Sequence, residues 1–408
     1  MATISLEKAR IFSDVLRGDP GARILWARPG ADRHRQYEKI RARGALATSR
    51  RGLLFTASHA TCHQVLTSGD FGPAPIGASA RRRNETGDVT LVHPVDDSFL
   101  KLQPPRHTEL RSLVAPTFHR RELADLGPRI EKIAGHCLNE LPRGRVTDLI
   151  TGYAEAVPMA MISDILGLPD TEAPRFAAWG NVLASLLDGA RTAEERQRSR
   201  ALVTEMTAYF RERLTRADPE GPGLIAALTR QCPAQLSLRE AIATCSMLLV
   251  GGFGTTTHLL GNTLHTLLRQ PHLRPDDGDY TAVIEESLRY DAPVQYVVRV
   301  AVADTRLAGR AVTAGTPIVV LLAAANRDPE IFTHPHVFDP RRREPHRHLT
   351  FSAGIHFCIG AALARAEATI AVQRFFERYP DAHIAGKEAP LPSRALHGLR
   401  RLPVVLEA

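Results

Sequence analysis

The 408-residue chain has no long hydrophobic run. Its longest apolar stretch, Ile318 to Ala325, falls far short of the ~20 residues that span a bilayer, so no membrane partner is expected. No basic start followed by an apolar segment opens the sequence, so no signal peptide is expected. Cysteine is sparse, with five residues at 62, 137, 232, 245 and 358. The count is odd and no two stand in a C-x-x-C spacing, which argues against a zinc cluster and a disulfide framework. A cytoplasmic, reducing setting is the expectation. Acidic residues number 44 against 52 Lys and Arg, for a formal charge of +8. That excess permits nucleic-acid binding without requiring it. An anionic cofactor or an acidic protein partner explains it as well, and no nucleic-acid partner is expected. Hydrophobic residues at 44% and charged residues at 24% are ordinary for a globular protein, which excludes disorder and a disulfide mini-scaffold.

No repeat or low-complexity linker divides the chain, and a single domain over 1–408 is expected. The pattern predicts a mostly α fold with a smaller β part. The helix-rich body covers about 104–290 and 360–380, and the β-rich portions about 30–60 and 295–325. Gly52 to Thr56 reads as a strand, and Phe71 to Ser98 as a long loop of the kind that is usually functional. Helices are predicted over Glu109–Phe118, Arg129–Leu141, Glu172–Leu187, Thr192–Ala217, Leu238–Arg269, Asp279–Tyr290 and Gly360–Tyr379. Ser237 with Glu240 forms a capping box ahead of Leu238. That helix would run ~45 Å at about 1.5 Å per residue. Strands are predicted over Tyr296–Val300, Arg310–Val312 and Ile318–Leu322.

Four segments carry chemistry. In Phe351-Ser-Ala-Gly-Ile-His-Phe-Cys-Ile-Gly360, a cysteine sits in a glycine-bounded loop before a long helix. Free N–H groups there favour a thiolate, and Gly354 and Gly360 allow tight turns and close approach of a flat ligand. A single cysteine suits a haem iron better than zinc; the competing reading is a small buried hydrophobe. In Leu249-Val-Gly-Gly-Phe-Gly-Thr-Thr-Thr257, two adjacent glycines cost about 1 kcal/mol each in a helix interior. Either they make room for a planar group or they form a helix-packing seam. Thr255, four residues after Gly251, is placed to bond that carbonyl and open the helix locally. Glu286 and Arg289 stand at i, i+3 on one helix face and can pair. His107 and Arg111 share a face after Pro104-Pro105 and could clamp an anion. Arg299 lies in a strand of valines, where a charge requires a partner.

Taken in order, these motifs resemble those of the soluble bacterial cytochrome P-450 family. Phe351, Gly354, His356, Cys358 and Gly360 fit its cysteine-loop pattern. Glu286 and Arg289 fit its Glu-x-x-Arg, and His107 to Arg111 its His-Thr-x-Leu-Arg. Residues 325–329 fit Ala-Asn-Arg-Asp-Pro, and Phe338 and Asp339 precede the loop. The resemblance implies a fold with haem b between a long distal helix and the proximal cysteine loop. It implies Cys358 as the axial thiolate and metal ligand, with His107, Arg111, Arg299 and His356 as donors to the propionates. Glu286 and Arg289 would be a structural pair locked by Arg342 or Arg343. Val250, Phe253, Gly254, Val294, Val297, Val298, Leu396 and His397, with the 71–98 loop and 179–187, would line the substrate pocket. Arg81, Arg82 and Arg83 in that loop would meet an anionic or carrier-bound substrate, or stand as an exposed charge run. A ferredoxin-type electron donor and its reductase, dioxygen, a small-molecule substrate and a monomeric state are further implications. Arg341 to Arg343, Arg347 and Arg374 are docking candidates.

Two departures stand out. Where the family has an acid before threonine, this chain has Gly254 before Thr255, so Gly251, Gly254 and Thr255 carry the proton-delivery question. Ser352 replaces the loop's first glycine. The expected activity is a monooxygenase acting on a secondary metabolite. Alternatives are oxidative C–C or C–N coupling of aromatic or peptide-like substrates without oxygen insertion, and a non-catalytic haem or ligand sensor.

Overall fold

The computed structural model describes residues 13–15, 17–25, 32–74, 89–118, 120–188 and 192–407. Contacts divide the chain into two compact units: one comprises 1–74, 282–358 and 389–400, the other 75–281, 359–388 and 401–408. Arg81, Arg82, Arg83 and the rest of 75–88, half of the predicted 71–98 loop, lie outside the described residues.

The first unit is built on a five-stranded sheet. Its order is Ala47–Thr48, Leu54–Thr56, Pro317–Val320, Val297–Ala301, Phe71–Pro73. Leu54–Thr56 and Pro317–Val320 run parallel, with Phe55 opposite Val319. Val297–Ala301 is antiparallel to both its neighbours, which sets Arg299 opposite Ile318 on one side and Pro73 on the other. Leu54, Val65, Ile318 and Val320 bury one apolar cluster; Tyr37, Phe55, Val319 and Leu321 bury another. Alternate residues of the strands thus feed two separate cores, as the two-residue side-chain period requires. The predicted strand Ile318–Leu322 ends earlier than expected: Leu322 to Ala325 form a helical turn.

The second unit is helical. Leu238–Arg269 is its spine, with both halves of the capping box made: Glu240 N–H donates to Ser237 Oγ, and Ser237 N–H donates to Glu240 Oε2. Arg106 extends the cap with bonds of 2.8 and 2.7 Å to the Glu240 carboxylate. Ala156–Leu166, Ala173–Leu187, Ala193–Arg216 and Ala361–Arg378 pack on the spine. Met161, Ile162, Trp179, Met206, Phe210, Leu249 and Phe253 share the core. A helix predicted from Arg129 starts at Arg120 instead and carries Pro128 inside it. The helices Ala156–Leu166 and Gly223–Gln231 fall within the predicted helix-rich body, without bounds of their own in the sequence reading.

Candidate functional site

Burial sorts the cysteines. It pushes the Cys62 thiol up to about 12 and Cys137 to about 11, raises Cys245 further and raises Cys232 as well. These four remain thiols at neutral pH. Cys358 alone of the five is exposed. Its backbone N–H donates to the Phe351 carbonyl at 2.9 Å, closing the loop, and Phe357 N–H donates to the Gly354 carbonyl at 3.0 Å. Gly354 sits at φ +69° with its α-carbon face pressed on the chain at Leu66; an added Cβ would lie 2.5 Å from the Leu66 carbonyl oxygen. No other residue fits there. Ser352 also takes a left-handed φ of +63°, so the position that departs from the family's glycine keeps a glycine's backbone at a cost of about 1–2 kcal/mol.

Three buried residues that the sequence did not single out as a group hold the loop's approach. Leu349 N–H donates to Asn326 Oδ1 at 2.6 Å, Asn326 Nδ2 donates to Thr350 Oγ1 at 2.7 Å, and the Thr350 hydroxyl donates to the Leu288 carbonyl at 2.6 Å. Leu288 precedes Arg289, so this chain of bonds ends on the predicted structural pair. Arg289 and Glu286 are fully buried and joined by two bonds of 2.7 Å. The remaining guanidinium donors reach the carbonyls of Asn326, Pro335 and Val337. Asp339 N–H donates to Glu286 Oε1 at 2.8 Å. The third arginine is Arg342, 3.3 Å from Glu286 Oε2 and bonded to the Val337 carbonyl at 3.1 Å. Arg343 is exposed. Arg342 therefore belongs to the scaffold and leaves the set of docking candidates. Arg341 is exposed, Arg347 pairs with Glu344, and Arg374 pairs with Glu131 and Glu377.

Arg299 fits an anion. Its Nη1 donates to the Val298 carbonyl at 3.2 Å, and among the described residues no carboxylate pairs with it. Burial lowers its affinity for its proton. A desolvated guanidinium without a counter-ion is costly in a folded chain, and a propionate of the expected haem is the kind of group that would neutralise it. His356, two residues before Cys358, lies half-buried in the turn Gly354–His356.

In the helical unit, the two readings of the glycine pair are both met, at different residues. Gly252 is a packing seam: a Cβ there would stand 3.2 Å from Ile162 Cδ1. Among the described residues Gly251 and Gly254 are open, with only Met247 Sδ at 4.0 Å from a Cβ on the first and nothing within 4 Å of one on the second. The Thr255 hydroxyl donates to the Gly251 carbonyl at 2.7 Å, as expected. The helix nevertheless stays α-helical through this turn and does not open. Taken by itself, the open helix face is compatible with a flat group, and in the sheet unit the exposed cysteine and the arginine without a carboxylate partner among the described residues are compatible with a carboxylate-bearing, thiolate-ligated one. His107 is buried, and burial first, then the Arg111 charge, lowers its pKa.

The pocket candidates divide. Val250 and Gly254 are half-buried. Phe253 is enclosed: a Cβ on Gly180 would lie 2.2 Å from its ring. Trp179 is core, packed among Phe176, Tyr209 and Phe210. The side chains of 181–186 lie outside the described residues. In the sheet unit, Val294 bridges to Leu396, and His397 N–H donates to the Pro293 carbonyl at 2.8 Å. Leu396 is buried, whereas Val297 and Val298 are half-buried. The His397 ring lies 3.5 Å from Asp291. Burial alone would raise the Asp291 carboxyl, but the His397 bond and the His397 and Arg327 charges hold it below its ordinary range. Among the described residues no group of three or more ligating side chains forms a metal cluster, and no helix is long and apolar enough to cross a membrane.

A family model described as cytochrome P450 matches residues 280–399. The chain is 34% identical over 412 residues to the putative cytochrome P450 140 of Mycobacterium tuberculosis, covering 96% of this chain and 93% of the relative. It is 39% identical over 316 residues to cytochrome P450 107B1 of Saccharopolyspora erythraea, covering 75% and 76%. A solved structure of P450BioI in complex with a hexadec-9Z-enoic acid ligated acyl carrier protein superposes with a TM-score of 0.84 at 27% identity, covering 92% of this chain and 99% of that one.

Proposed function

The chain belongs to the cytochrome P450 family, and on that premise we propose that it oxidises a small secondary metabolite in the cytoplasm of a bacterium, as a monomer, with electrons from a ferredoxin-type donor and its reductase. As a member of the family it is a haem-thiolate oxidoreductase of the monooxygenase class, and its cofactor is haem b. Bound haem supplies the activation of dioxygen; the protein supplies position, a dry pocket and protons.

The residues divide the work as follows. Cys358 presents the thiolate, on a loop whose shape is set by Gly354 and by the bond from its own N–H to Phe351. Arg299 and His356 donate to carboxylates of the cofactor, as do His107 and Arg111 from the helical unit; such charge-assisted bonds are the strong ones. Glu286, Arg289 and Arg342 hold the segment that leads into the cysteine loop. Gly251 and Gly254 leave their helix face open, and Gly360 has no atom within 4 Å of an added Cβ. The Thr255 hydroxyl donates a hydrogen bond to the Gly251 carbonyl, which leaves its oxygen lone pairs to accept with. Exposed apolar Ile355 and Phe357 beside Cys358 support a docking face for the electron donor, with Arg341 and Arg343 as its charged members.

The observation that carries this reading is that Cys358 is the one exposed cysteine, in a loop its own backbone closes. Titrating candidate metabolites while following haem absorbance, then running turnover under labelled dioxygen, tests it. Label in the product supports oxygen insertion. Oxidised product free of label would replace it with a coupling reaction, the second reading that Gly254 motivates. Spectral shifts with no product, given competent reductants, would replace both with a sensor.

A further inference from the structure

The long helix carries a single carboxylate, Glu240, in its first turn and committed to Arg106 and Ser237. Position 254 is glycine, and among the described residues no atom lies within 4 Å of a Cβ there. Thr255 therefore has no acid on its own turn to hand it protons. The nearest titratable side chain on that face is His258, four residues after Gly254 and three after Thr255. Residues so spaced have Cβ atoms about 5–6 Å apart. Helical side chains also lean toward the N-terminus, so His258 stands on the side of the helix that carries Gly254 and Thr255, and among the described residues no atom comes within 4 Å of a Cβ at Gly254.

His258 is 6% exposed, on a helix whose neighbouring turns bury Phe253, Leu259, Leu260 and Leu264. Asn262, also buried, continues the polar row one turn on. Two other threonines nearby are committed: the Thr257 hydroxyl donates to the Phe253 carbonyl and Thr263 to Leu259. Thr255 donates to Gly251 in the same way, but it is half-buried, and its oxygen keeps lone pairs to accept with.

We propose that His258 supplies protons to the Thr255 hydroxyl in this chain, in place of a carboxylate at position 254. One proton passes from the imidazolium N–H to Thr255 Oγ1 as the hydroxyl's own proton leaves the Gly251 carbonyl and passes to a water molecule in the open space beside Gly251 and Gly254. Thr255 ends unchanged, His258 ends neutral, and His258 regains a proton from solvent water. No electrons move in this step; those of the reaction come from the reductant of the activity given above. His258 acts through Thr255 and is a positioning residue. The inference rests on the haem-thiolate reading.

The experiment compares His258→Ala, His258→Gln, Gly254→Asp and the double variant Gly254→Asp/His258→Ala with the parent holoenzyme. The reduced, CO-bound spectrum comes first: loss of the thiolate band in the parent would count against the haem-thiolate reading itself. With that band intact, the fraction of reductant recovered as hydrogen peroxide should rise about tenfold in His258→Ala, less than the roughly 10²–10⁴-fold a general acid contributes to a rate because a fraction saturates at one. His258→Gln, which keeps a hydrogen-bonding side chain, should show the same rise. The double variant should return close to the parent. A second readout needs no turnover. In the diamagnetic ferrous CO form with 15N-labelled histidine, Thr255→Val should shift the His258 ring nitrogens and leave the other histidines unmoved. A peroxide fraction within twofold of the parent in the folded His258→Gln protein, no rescue by Gly254→Asp, or unshifted His258 nitrogens would overturn the proposal.

Discussion

Glu367 is a carboxyl placed where no carboxylate should be. It lies in Ala361–Arg378, one turn after core residue Leu363 and one turn before Ala371, whose carbonyl accepts from the Tyr153 hydroxyl. Its Oε1 has no hydrogen-bond partner. Burial pushes its pKa up to about 8. A raised acid binds its proton more tightly in the folded than in the unfolded chain. The stability this gives is full below the ordinary glutamate value near 4 and is lost as pH climbs through about 8. Each tenfold in proton affinity is worth about 1.4 kcal/mol, so the loss across the whole window is on the order of 5 kcal/mol, and about 3 kcal/mol of it has occurred by pH 7. Glu367→Gln keeps the shape and removes the ionisation. The variant should therefore be more stable than the parent at pH 7 to 8, by about 3–4 kcal/mol, and nearly indistinguishable near pH 4.5. Heat unfolding of the holoprotein across pH 4.5 to 8.5 reads this as a midpoint raised by several degrees in the variant at the alkaline end. Parallel midpoint–pH curves for the two proteins would refute the reasoning, because they would mean that Glu367 is ionised in the fold or solvated.

Ser352→Gly removes a left-handed serine and a buried hydroxyl without a partner; after the extra chain entropy of glycine it should stabilise by about 0.5–1 kcal/mol in denaturant unfolding, and a loss of stability would mean the hydroxyl is used. Arg342→Ala should cost about 2–4 kcal/mol because it withdraws a partner from buried Glu286, whereas Arg343→Ala should stay within about 0.5 kcal/mol; equal effects would show that the assignment of the third arginine is wrong. Arg299→Leu should leave the apoprotein folded yet weaken haem retention by about tenfold or more, the value of a charge-assisted bond; unchanged haem transfer to an acceptor globin would remove Arg299 from the site.

Much of the site was legible because its motifs are local. The Ser237–Glu240 capping box marked the start of the long helix, and its end at Arg269 was also read correctly. The bond from Thr255 to Gly251 follows from a spacing of four and was readable in the same way. What escaped depends on tertiary routing. Arg342 and Arg343 are neighbours in sequence, and only the path of 333–339, which aims the Val337 carbonyl and the Asp339 N–H, chooses between them. Pro128 reads as a helix stop, yet the helix runs through it from Arg120 to Asn139. Ala156–Leu166 is apolar nearly all round because it is buried nearly all round, so it lacks the amphipathic period that would announce a helix. His258 was passed over because a lone histidine in an apolar helix carries no motif. Its meaning appears only beside the open Gly254.

The central claim is that the Cys358 sulfur ligates the haem iron, and the reduced, CO-bound absorption spectrum tests it most directly. The wild-type holoprotein should show its band near about 450 nm, the signature of a thiolate ligand, and Cys358→Ser should lose that band while each of the other four cysteines can be changed without moving it. A wild-type protein without that band, or a Cys358→Ser protein that keeps it, would contradict the account.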